Sequence, residues 1–242
     1  MYVKNLASLK KHKTPHIIAC VVRNISFHSD QKLVKAFLKH QATLHNGSLC
    51  NKRCDATIAT HDLSKLDLPL TADVLPLNKI IIHPINRDGE MTAQALATLL
   101  RTEADRERKE KKRNAISPAH KYLNSIGAAA LHISNAEDEV ISCYPLSNCH
   151  NTRLAVTTKS MLIEVNGKTQ SLCKRIMENV LKWLLQNAVP NTEELLGANV
   201  KRPLVVNQIR VVEYENHNNL LVVYPSHEDL RDEEFKTVWA NK

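Results

Sequence analysis

The chain has 242 residues, 43% of them apolar and 24% charged, enough for one large domain or two small ones around an ordinary core. No apolar run approaches the roughly 18 residues that a membrane helix needs, which excludes an integral membrane protein of the helical kind. The formal net charge of +8 suits a polyanionic partner, because neutralising phosphates releases counterions, whereas an aromatic content of 4% speaks against a stacking platform for single strands.

Residues 1–14 carry Lys4, Lys10, Lys11 and Lys13 ahead of Pro15 and read as a basic arm or frayed helix. Residues 17–23 are β-branched and apolar, a strand, after which Ser29 or Asp30 caps a helix with Leu33, Phe37, Leu38 and the neighbours of Gln41 on its apolar side. Lys79 to His83 reads as a further strand, and Thr92 opens a helix with Ala95, Leu96, Leu99 and Leu100 on one side. From Arg101 to Arg113 the sequence is almost wholly charged, as in an exposed helical extension. Strands are expected at 140–143, 154–157 and 161–165, with Asn166-Gly167 as a turn. Leu172, Ile176, Val180 and Leu184 repeat every four residues and predict an amphipathic helix ending before Pro190. Residues 204–214 and 220–224, separated by 216–219, predict a hairpin.

These elements predict an α+β fold, a mixed or mostly antiparallel sheet flanked by helices and extended by a C-terminal β-hairpin. The expected organisation is an arm at 1–14, a domain at 15–190 with a charged helical extension at 101–116, and a loop, hairpin and tail at 191–242. The six cysteines, Cys20, Cys50, Cys54, Cys143, Cys149 and Cys173, follow a start (Met-Tyr-Val-Lys) without a signal-peptide pattern. They read as reduced thiols of a cytoplasmic protein, or equally of a nuclear one. His45, Cys50 and Cys54 lack a second ligand pair at finger-like spacing, and five glycines supply no glycine-rich phosphate loop, so neither metal nor cofactor is expected.

Four collinear stretches carry a family resemblance. They are 49–63 (Leu-Cys-Asn-Lys-Arg-Cys-Asp-Ala-Thr-Ile-Ala-Thr-His-Asp-Leu), 84–102, 144–165, and 203–230 with its Arg-Val-Val-Glu and Val-Val-Tyr-Pro-Ser elements. Together they resemble the B3/B4 editing domain of the eukaryotic cytosolic phenylalanyl-tRNA synthetase β chain, and more closely a leucine-rich-repeat-containing relative of it. The fourth stretch and the Arg/Lys/Glu insertion before Ser117 are similar to that relative only. The chain carries no leucine-rich repeats, no class II catalytic core and no anticodon-binding domain, so a complete phenylalanine-tRNA ligase is not expected.

The resemblance implies an amino-acid-editing pocket that hydrolyses mischarged tyrosyl-tRNA. Reading one extra hydroxyl needs a partly buried polar partner, and Glu164 stands where the family places such a carboxylate. An exposed strand glutamate is the other reading. His61, in Ala-Thr-His-Asp-Leu, falls at the family's pocket histidine, able to orient an ester or a water; alternatively Thr60 and Asp62 cap a turn and His61 is structural. The loop 147–153 contains two further pocket candidates, Asn148 and Thr152, and places Cys149 where the synthetases carry glycine, which points to a degenerate pocket.

Arg106, Arg108, Lys109, Lys111, Lys112, Arg113 and Lys121 are the RNA-contact candidates, set against a solvated helix neutralised by Glu103, Asp105, Glu107 and Glu110. The function expected is binding of RNA, either tRNA or ribosome-associated RNA, by a module without ligase activity. Its alternatives are a free-standing deacylase of mischarged tRNA and a scaffold for translation factors.

Overall fold

The computed structural model describes residues 1–110, 122–124, 126–189 and 203–240. In chain order the elements are β1 (Tyr2–Val3), α1 (Leu6–Lys11), β2 (His16–Arg23), α2 (Gln31–Asn46), β3 (Ala56–Asp62), β4 (Thr71–Pro76), β5 (Ile81–Ile82), β6 (Met91–Thr92) and α3 (Ala93–Glu110). They continue as β7 (Ala129–Ser134), β8 (Val140–Cys143), β9 (Ser147–Asn148), β10 (Ser160–Gly167), α4 (Gln170–Asn187), β11 (Leu204–Glu213), β12 (Leu220–Tyr224) and β13 (Phe235–Val238).

The principal sheet has 11 strands in the path β3-β10-β2-β11-β1-β4-β7-β8-β9, with β12 and β13 also on β11. Most pairs are antiparallel; β1 runs parallel to β11 and β4, and β13 parallel to β11. This is the mixed, helix-flanked α+β sheet expected. The hairpin of β11 and β12 forms as predicted, yet it is no appendage. The first half of β11 pairs with β2 and its second half with β12 and β1, so this single strand joins the two halves of the sheet.

Strict alternation along the central strands divides the interior. Ile18, Cys20, Val22, Ile163 and Val165 face a core with Phe37 of α2 and Ile176, Val180 and Leu184 of α4. Ile17, Ala19, Val21 and Leu162 face a second core shared with Leu131, Ile133, Ile141 and Tyr144 of the other sheet half. Glu164 lies two residues beyond Leu162 on the same strand and therefore points into this second core rather than into solvent. α3 covers a third core with Leu96 and Ala97 against Ile80, Ile82 and Leu123.

Several local expectations give way. The segment read as a basic arm starts the sheet: β1 inserts between β11 and β4, and Val3 and Leu9 are buried. A strand of two residues, Tyr2–Val3, is too short to mark itself in the sequence, since it gains its hydrogen bonds only from distant partners. Residues 154–157 form an irregular turn instead of a strand, with Ala155 N donating to Thr158 Oγ1 at 2.9 Å. Asn166-Gly167 ends β10 rather than turning, held because Asn166 Nδ2 donates to the carbonyls of Thr14 and His16.

In α2 the buried stripe is Val34, Phe37, Gln41 and His45, while Leu38 is 42% exposed. The polar members have a purpose: β3 ends the sheet path, and at Ile58 its free backbone groups are taken by Gln41 Nε2, donating to the carbonyl at 3.0 Å, and His45 Nε2, accepting from the amide at 2.8 Å. Burial holds His45 well below its usual imidazole range. Similarly in α3, Ala95 and Leu99 are exposed and Ala93, Leu96, Ala97 and Ala104 are buried. The expected strand at Lys79 to His83 shortens to Ile81–Ile82, preceded by a 3-10 turn at Leu77–Lys79.

Candidate functional site

The two halves of the sheet bury a short polar chain between them. β3 and β10 are neighbours with His61 opposite Leu162, which puts His61 and Glu164 diagonally on one face. Both side chains are fully buried, with His61 Nε2 at 3.8 Å from Glu164 Oε2. From the other sheet half, Ser142 Oγ donates to Glu164 Oε2 at 2.8 Å and the Tyr144 hydroxyl donates to the same oxygen at 2.5 Å. His61 Nδ1 lies 2.7 Å from Thr152 Oγ1, which is 3.4 Å from the Cys149 carbonyl. The chain thus runs from two hydroxyl donors through Glu164 and His61 to Thr152.

The proton positions follow from electrostatics. If Thr152 donated to Cys149, His61 would donate from Nδ1 and turn the Nε2 lone pair toward the carboxylate. The contact at 3.4 Å is weak, and a lone pair facing a carboxylate is repulsive. We therefore assign Thr152 as donor to Nδ1, leaving a proton on Nε2 directed at Glu164. Tyr144 is kept protonated by the same surroundings: burial first, then the Glu164 charge, push its phenol well above the ordinary value.

Three of the four pocket residues singled out from sequence, His61, Glu164 and Thr152, are brought together. Asn148 is not joined to them by any described contact; it pairs with Ser142 through β9, and its carbonyl accepts from Ile85 N at 2.9 Å. Asp62 caps the 3-10 turn at Leu63–Lys65 through Ser64. Sequence reasoning misses Ser142 and Tyr144 because nothing local marks them. One is a serine in an apolar strand and the other a tyrosine beside a proline, and only the pairing of distant strands shows their target.

Chemically, Glu164 is an acceptor with two hydroxyls on one oxygen. Glu164 Oε1 and His61 Nε2 are buried without a hydrogen-bond partner among the described residues, and polar atoms so placed are ones that a water or a ligand hydroxyl satisfies. Among the described residues no group of three or more His, Cys, Asp or Glu is placed to hold a metal. All six cysteines are free and buried. No described helix is long and apolar enough to cross a membrane.

The RNA-contact candidates lie elsewhere. Arg106, Arg108 and Lys109 are exposed on the last turns of α3, where Arg106 pairs with Glu110 at 3.1 Å. Lys111, Lys112, Arg113 and Lys121 lie outside the described residues.

No protein-family model matches the chain. Among curated proteins it is similar to the β subunits of phenylalanine–tRNA ligase, with 29% identity over 169 residues to that of Homo sapiens, 27% to that of Drosophila melanogaster and 28% to that of Saccharomyces cerevisiae. Each alignment covers 69% of this chain and 26% of the relative, so the chain matches about a quarter of those subunits. Among solved structures, an N-terminal fragment of the phenylalanyl-tRNA synthetase β subunit from Pyrococcus horikoshii superposes with a TM-score of 0.67 at 17% identity, over 93% of this chain and 54% of that one. The chain is homologous to the B3/B4-type region of these subunits and shares its fold.

Proposed function

We propose that the chain is a tRNA-related binding module, without ligase activity, on a B3/B4-type fold whose editing pocket is occupied from within. The observation that carries this reading is the Tyr144 hydroxyl on Glu164. The carboxylate that the family resemblance casts as the reader of a substrate hydroxyl already holds a tyrosine hydroxyl of its own chain. Homology to a tRNA ligase subunit and the net charge of +8 support RNA as the partner. The finer resemblance, to the C-terminal region of leucine-rich repeat-containing protein 47, belongs to the same proposal and fits a role apart from aminoacylation.

The test is binding of the purified chain to tRNA and to an unrelated RNA of equal length, titrated across salt. Saturable binding that favours tRNA and weakens with salt is expected; absence of binding at low salt would leave a protein-interaction scaffold as the better reading.

A second reading, a free-standing deacylase, is favoured by the unpartnered Glu164 Oε1 and His61 Nε2. Deacylation of tyrosyl-tRNA that is lost in both His61→Ala and Glu164→Gln would establish it and overturn the occupied pocket.

A further inference from the structure

A cleft of about 520 Å³ opens beside the buried chain. Its walls come from the segment around α1, from β3 and β10, and from the other half of the sheet. Lys11, Lys13 and Arg53 supply its charge, and among the described residues no aspartate or glutamate lines it. Val74, Ile126, Ala129, Tyr144 and Pro145 supply an apolar surface. A pocket of this size holds an organic ligand and not merely an ion.

Arg53 is held in place by its neighbours. Its Nη1 donates to the Pro145 carbonyl at 3.2 Å, and its guanidinium lies 5.6 Å from the centre of the Tyr122 ring. Among the described residues no carboxylate pairs with it, and the Nη1 hydrogen bond of its donor fork goes to a neutral carbonyl. The side chain is half-buried, and this burial lowers its pKa. The backbone leading to it is unusual: Asn51, Lys52 and Arg53 have φ of 47°, 55° and 65°. Residues with a side chain enter the left-handed region singly as a rule, and three in succession persist only where the surroundings hold them. Here Cys54 N donates to the Asn51 carbonyl and Asp55 N to that of Cys50, each at 3.1 Å. Asp55, which also feels Lys13, is already bound to Lys168 at 2.5 Å and to Asn51 at 3.0 Å.

We propose that this cleft binds a nucleotide through its phosphate, with Arg53, Lys11 and Lys13 on the phosphate oxygens and the apolar wall against the nucleoside. Three cations, with no acid among the described lining residues and with Asp55 engaged by Lys168, match the charge of a phosphate ester, and the Arg53 fork matches its geometry. The phosphate can come from a free nucleoside monophosphate or from a nucleotide of an RNA; in the second case the inference rests on the RNA reading above and names the site that reading lacked.

The test is calorimetric titration of the full chain with adenosine, adenosine 5′-monophosphate and an RNA trinucleotide, alongside tRNA. The monophosphate or the trinucleotide should bind and adenosine should not. Lys11 and Lys13 are exposed, so the double variant K11E/K13E should keep the parental melting temperature and weaken that binding about tenfold or more. Arg53→Lys keeps the charge but loses the fork and should weaken it several-fold. Preference for the trinucleotide assigns the RNA source, and preference for the monophosphate the free ligand. Binding unchanged in K11E/K13E, or equal binding of adenosine, overturns the cleft as a phosphate site. If tRNA binds while neither small probe does, the cleft proposal falls and the RNA reading stands; if only the monophosphate binds, the reverse holds.

Discussion

The hydroxyl of Tyr144 donates to the Glu164 oxygen that Ser142 also reaches, across the boundary between the two halves of the sheet. This contact predicts an alkaline signature. Burial and then the Glu164 charge raise the Tyr144 pKa well above its ordinary value of 10.0. Below that value folded and unfolded chains both keep the proton. Above it only the unfolded phenol ionises, so the unfolded state binds fewer protons and stability falls as pH rises. Tyr144→Phe should lower stability by about 1–3 kcal/mol at neutral pH through loss of the bond to Glu164. Above about pH 10 it should also remove about 1.4 kcal/mol per pH unit from the slope. The buried thiols of Cys50, Cys143 and Cys173, each pushed up to about 12, steepen the alkaline loss in both proteins and cancel in the comparison. Urea unfolding at neutral pH and above pH 10 measures both effects; equal alkaline slopes would place the phenol in water.

Thr152 fixes His61, and the two should be coupled. Thr152→Val keeps the shape and leaves Nδ1 without its partner at 2.7 Å, at an expected cost of about 1–3 kcal/mol. In a His61→Phe background the same change should cost much less, giving a coupling energy of about 0.5–3 kcal/mol in a double-mutant cycle. Additive effects would mean that the pair is not in contact.

How much of the fold and site is legible in the sequence depends on whether the cause is local. The amphipathic helix at Leu172 to Leu184 and the strand at 140–143 declare themselves, since burial of one helical face, or of a short apolar run, is written in the spacing. His61, Glu164 and Thr152 can be singled out by their place in a family pattern, but that Glu164 is buried depends on its strand being covered on both faces. Gln41 and His45 read as polar interruptions of a helix face because the edge strand they serve is distant in sequence. Arg53 falls within the family-like stretch 49–63, yet its role depends on a left-handed turn and on a cleft whose walls are far apart in the chain.

The loop after β12 is fastened to α4 by Lys174 and Asp229. Lys174 Nζ donates to both Asp229 oxygens, at 2.9 and 2.8 Å, and Ser226 donates to Oδ2 through its amide and hydroxyl. Burial by itself would raise the Asp229 pKa, but the bonds from Lys174 and Ser226 outweigh it and hold the carboxyl below 3.8. The carboxyl therefore stabilises the fold above that value and ceases to do so as pH falls through its folded pKa. Solvent reaches Lys174, whose side chain is 24% exposed, so Asp229→Asn should cost about 1–3 kcal/mol at neutral pH, less than the rupture of a fully buried pair. The gap between variant and parent should narrow progressively as the pH falls below 3.8, and a gap of constant size would assign the effect to packing.

The charged end of α3 offers a direct test of the proposed RNA contact. Arg106, Arg108 and Lys109 project from exposed turns, and nearby acids compete for them. Glu110 holds Arg106 at 3.1 Å, whereas Glu103 is turned toward Arg87 by two bonds of 2.8 and 2.7 Å and is lost to the helix as a neutralising group. On these turns Asp105, Glu107 and Glu110 still equal Arg106, Arg108 and Lys109 in number, so phosphates have to compete with these acids for the three cations. Each neutralised phosphate releases counterions, so the triple reversal R106E/R108E/K109E should weaken tRNA binding and reduce the magnitude of its salt slope by about one for each phosphate that is no longer neutralised. An equal loss with the unrelated RNA would mark the helix as a general electrostatic surface, and a loss confined to tRNA would mark it as part of a shaped site. Affinity and slope both unchanged would identify a solvated helix at Arg106, Arg108 and Lys109.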